Sequence, residues 1–96
     1  MFDKARYLTR GIQARIPVEI QLVMWGMIGD ISNEKRDYLQ VFNLTWNNGK
    51  LIIKHSQEVP MYESTVTFDS THTNGEEKIF VIDDGDYSTM LLAEEY

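Results

Sequence analysis

Cysteine is missing from this chain of 96 residues, which removes disulfides, thiolate metal sites and thiol nucleophiles at once and fits a reducing compartment. Histidine is scarce: His55 and His72 stand alone, without the HxH or HExxH spacing that a metal site uses. No apolar run is long enough for a bilayer span or a signal peptide, so the expectation is a cytoplasmic protein with no membrane partner. A Gly-rich phosphate loop, a GxSxG elbow and an interpretable Ser/His/Asp cluster are absent too. The sequence therefore nominates no catalytic residue, no cofactor and no metal ligand.

Positive charge is the other shortage. The net charge is −6, which sets the chain as a whole against the phosphates of nucleic acid. The balance is uneven. Lys4, Arg6, Arg10 and Arg15 face only Asp3 in the first fifteen residues, whereas Glu76, Glu77, Asp83, Asp84, Asp86, Glu94 and Glu95 face only Lys78 from residue 76 onward. The acidic end reads either as a solvated surface or as a face for a basic partner. The alternative nucleic-acid reading would use Arg6, Arg10 and Arg15, with Tyr7 and Tyr38 to stack on bases.

What is present fits one domain over residues 1–96, with 43% hydrophobic and 25% charged residues. Residues 17–31, PVEIQLVMWGMIGDI, form the one long helical pattern. Ile20, Val23, Met24, Met27, Ile28 and Ile31 fall on one side, and Pro17 suits the first helical position. The far side is apolar as well: Val18, Leu22 and Trp25, beside Gly26 and Gly29. Burying a large apolar side chain is worth about 1.5–3 kcal/mol, so this second stripe is the candidate interface. Three occupants are open: the chain's own termini, a second copy forming a homodimer, or a different protein partner.

Strand patterns supply the rest. Residues 5–12 read as a short strand broken near Gly11. Residues 37–46 and 50–58 flank Asn48-Gly49, a type I′ hairpin turn that sets Trp46 opposite Leu51, Leu44 opposite Ile53 and Phe42 opposite His55. Residues 61–68 read as a further strand with Tyr62, Val66 and Phe68 on one side, either short or at an edge given the neighbouring Pro60. Residues 69–77 read as loop. A second turn at Asp84-Gly85 places Phe80 opposite Thr89 and Ile82 opposite Tyr87, with a rival helix over 88–95. The fold class is α+β: one central helix on a mostly antiparallel sheet of about five strands with two tight hairpins.

His55, on the apolar hairpin face, reads first as a partly buried histidine satisfied by one hydrogen bond, and second as the centre of a small-ligand site or enzyme. The acids around Gly85 lack the spacing of a calcium loop. The blocks MFDKARYLTRGIQARIPVEIQL, DYLQVF, HSQEVP and KIFVIDDGDYSTMLLAEEY resemble a bacterial family of small domain-of-unknown-function proteins of similar length. That resemblance implies a small cytosolic bacterial protein and transfers no site. The functional expectation is a non-enzymatic protein-interaction or regulatory module.

Overall fold

The computed structural model describes Phe2, residues 4–71 and residues 74–96. Its elements run β1 (Ala5–Leu8), α1 (Arg10–Arg15), α2 (Val18–Gly29), β2 (Leu39–Asn47), β3 (Lys50–Gln57), β4 (Tyr62–Asp69), β5 (Asn74–Asp83) and β6 (Tyr87–Leu92), with 3-10 turns at Asn33–Lys35 and Ala93–Glu95. The strands make one sheet of order β1-β6-β5-β2-β3-β4. Six strands replace the expected five, and the sheet is mixed because β1 runs parallel to β6.

The β2–β3 hairpin has the expected register, with Trp46 on Leu51, Leu44 on Ile53 and Phe42 on His55. Asn48 and Gly49 both take positive φ, +51° and +79°, as a type I′ turn demands. The second hairpin keeps its faces but slips by two residues. Phe80 pairs with Leu91 and Ile82 with Thr89, because the turn is centred on Gly85-Asp86 rather than Asp84-Gly85. Asp84 N–H closes it on the Tyr87 carbonyl, and Gly85 takes φ +103° at the first central position. β6 then continues as strand to Leu92, so the rival helix over 88–95 shrinks to the closing 3-10 turn.

Two further expectations are corrected. The strand read over 5–12 ends at Leu8, and Thr9 caps α1, its hydroxyl accepting from Ile12 N–H. Of the polar stretch 69–77, Asn74 onward is strand: nine β5 residues find partners on β2, a ladder that polar composition does not announce. His72 lies outside the described residues.

Helix α2 covers one face of the sheet. Met24, Met27 and Ile28 join Phe42, Leu44, Ile53, Ile79, Val81 and Met90 in the buried cluster. The helix begins with Pro17 as its cap rather than as its first helical residue, and it stops at Gly29, before the expected Ile31. On the other face of the sheet, Leu39, Val41, Phe80 and Ile82 are half-buried and Ile52 is exposed, so that face holds less of the core.

Candidate interaction surface

The buried arc of α2 is turned toward Gln21 and Trp25. Gln21, polar but buried, is inside because its Nε2 donates to the Ile16 carbonyl at 2.8 Å, satisfying the chain where it enters the helix. Trp25 is 6% exposed. The Arg6 guanidinium lies over its ring, 4.6 Å from the centroid, so a β1 residue seals what the helical wheel left outside. Trp25 thus departs from the rest of its stripe.

The remainder of that stripe faces out. Val18 is 61% and Leu22 62% exposed, one turn apart, and Gly26 and Gly29 are exposed beyond them. A methyl group built on either glycine would meet nothing within 4 Å. No packing within the chain requires glycine there, although a mid-helix glycine such as Gly26 costs about 0.5–1 kcal/mol relative to alanine. The result is a flat strip on which another backbone can lie close.

The three arginines have different surroundings. Arg6 is stacked on Trp25. Arg15 Nη1 is held by Glu94 at 2.5 Å and Glu77 at 3.3 Å, and its pKa is raised first by the hydrogen bond to Glu94. Arg10 is exposed at the start of α1. Two of the acids expected to face a basic partner, Glu77 and Glu94, are thus turned on the chain's own Arg15.

Glu95 is also used internally. Its Oε1 accepts from the Thr9 hydroxyl at 2.6 Å and from Leu92 N–H at 2.8 Å, and its Oε2 accepts from Gly11 N–H at 3.2 Å. These bonds depress its pKa, the Thr9 contact most of all. Asp83 and Asp84 serve their own turn, accepting from Gly85 and Tyr87 N–H. Among the described residues no group of three or more His, Asp or Glu side chains could hold a metal ion.

His55 is fully buried, stacked on Phe42 with ring centroids 4.3 Å apart. Its Nε2 donates to Gln40 Oε1 at 2.6 Å. The tautomer follows from the amides: Gln40 Nε2 donates to the Asp37 carbonyl and to Gln57 Oε1, while Gln57 Nε2 donates to the Lys35 and Pro60 carbonyls. Burial lowers the His55 pKa to about 4, so the ring is neutral at physiological pH. This network braces the start of β2 against the end of β3, and its imidazole is shut off from solutes. Outside it, an open groove of about 350 Å³ runs past Tyr38, Leu39, Val41 and Met61, rimmed by Asp37, Glu58 and Glu63.

Comparison with known proteins adds the lineage. The profile of a family described as "Staphylococcal protein of unknown function (DUF960)" matches residues 5–95. The crystal structure of a protein of unknown function from Enterococcus faecalis is similar at 31% identity and a TM-score of 0.76, over 98% of this chain and 92% of that one. No curated protein matches. Among the described residues no helix is long and apolar enough to cross a membrane.

Proposed function

The chain belongs to the DUF960 family, and from that premise we propose that it is a non-enzymatic protein-interaction or regulatory module whose contact strip is the outer face of α2. One observation carries the reading: Val18 and Leu22 stand more than 60% exposed on a helix whose other side already covers the sheet. Gly26 and Gly29 extend the strip with bare backbone, which favours a close-packed helix or strand from another protein. Trp25 supports the strip from beneath rather than touching the partner.

The test is capture from a native extract with wild type and with Leu22→Glu, after thermal melts establish that both are folded. Loss of a captured protein with Leu22→Glu supports the reading. Identical captures from both proteins reject it.

A further inference from the structure

Strand β4 ends the sheet, and among the described residues no strand pairs with its outer side. The direction of its backbone groups follows from the neighbouring ladders. Asn47 and Lys50 flank the two-residue turn and form the first hydrogen-bonded pair of β2 and β3. Alternation then turns Lys50, Ile52, Lys54 and Ser56 toward β2, and Leu51, Ile53, His55 and Gln57 toward β4. Their partners are Phe68, Val66, Ser64 and Tyr62. The Ser70 N–H bond to the Gly49 carbonyl, 2.8 Å, continues the same phase. The N–H and C=O groups of Glu63, Thr65 and Thr67 therefore point away from the sheet.

Exposed edges are ordinarily blunted by shortness, proline, bulges or lysine. The opposite edge, β1, is four residues long and carries Arg6. β4 has eight residues, YESTVTFD, without proline, glycine or lysine and rich in strand formers. Its two acids, Glu63 and Asp69, are paired with Lys54 and Lys50 of β3, which leaves the edge less charged than its sequence suggests.

We propose that the strand it accepts is β4 of a second copy, paired antiparallel about a two-fold axis at Thr65. In that register Thr65 meets its own counterpart, Glu63 meets Thr67, Ser64 meets Val66 and Tyr62 meets Phe68. The aromatic pair forms at both ends, and no acid opposes an acid. A shift of two residues one way sets Glu63 against Asp69; the other way leaves Phe68 opposite Pro60, outside the strand. The outward groups of Glu63, Thr65 and Thr67 then bond across the axis. Because the axis is perpendicular to the sheet, both copies carry α2 on the same side of the joined sheet. The pairing is independent of the proposed helix contact.

Sedimentation equilibrium of the full chain, from low micromolar to near-millimolar concentration, tests this. The expected mass rises from 11.2 kDa toward twice that value. Thr65→Pro removes an outward N–H while sparing the groups of Ser64 and Val66 that bond β3. Thr65→Lys sets two ammonium groups face to face. Each variant weakens the dimer by roughly tenfold or more, the equivalent of about two backbone hydrogen bonds. Thr65→Lys, on an exposed position opposite Lys54, lowers the melt of the diluted monomer only slightly and decides the matter if the proline variant does not fold. A wild type that stays monomeric overturns the proposal, including one whose β4 pairs only with another protein's strand. So does a dimer indifferent to Thr65→Lys, or one abolished by Leu22→Ser instead, which would assign self-association to the helix face.

Discussion

The Thr9 hydroxyl donates to Glu95 Oε1 at 2.6 Å, joining residues 86 positions apart at the entrance to α1. Thr9 is at once the N-cap of that helix and the anchor of the C-terminal turn, so the two ends of the chain stabilise each other. Thr9→Ala is expected to cost about 1 kcal/mol, the usual worth of a side-chain cap. Gly11→Ala acts on the same contact from the other side: an added Cβ would lie 2.6 Å from Glu95 Oε1 and 2.7 Å from Leu92 Cδ1. It should displace the carboxylate. Urea titration should show Gly11→Ala and Glu95→Gln weakening the fold non-additively, since both release one lock. The Glu95 pKa is depressed in the folded state, so its stabilisation is present above its unfolded pKa and fades as pH falls through the folded value.

His55 gives the same pH direction for a different reason. Folding lowers its pKa from 6.5 to about 4, so between these values the unfolded chain binds the extra proton. Stability should fall as pH drops from 6.5 toward 4, by about 3 kcal/mol over the window if this group acts alone. Replacing His55 with Gln should flatten that part of a stability-versus-pH curve measured by denaturant unfolding, while lowering stability at neutral pH through the lost stacking on Phe42.

Trp25 and Leu22 separate core from contact. Trp25→Ala is expected to cost about 3–5 kcal/mol, as other buried aromatic truncations do. Leu22→Ser should leave the unfolding midpoint almost unchanged, because Leu22 is already 62% exposed. Circular-dichroism melts of the two variants at one pH measure the contrast.

Gly26 offers a test with opposite signs. With nothing near its missing side chain, Gly26→Ala should stabilise α2 by about 0.5–1 kcal/mol. If the strip is a close-approach surface, the same methyl weakens partner capture. A gain in stability with unchanged capture would mean that the partner does not lie over Gly26.

The legible parts of the fold were those with local cause. Asn48-Gly49 fixes one turn chemically, and alternation on both arms allows a single register, so the first hairpin reads directly from sequence. At the second, both Asp84-Gly85 and Gly85-Asp86 preserve the inward and outward faces, and only backbone closure by Asp84 and Tyr87 chooses between them. Trp25 was misplaced for a long-range reason. Its cover, Arg6, sits on a strand held by β6, and nothing within the helix reports that pairing. Leu22 and Val18, which no other element among the described residues covers, lie on the outer side where the wheel puts them.

The parallel pairing of Ala5 with Tyr87 also orders events during synthesis. β1 must wait for β6, about eighty residues later, before its ladder exists, whereas both hairpins close from neighbouring sequence. A nascent chain halted before Tyr87 would lack the strand that holds Arg6 over Trp25, so the indole gains that cover only once β6 has been made.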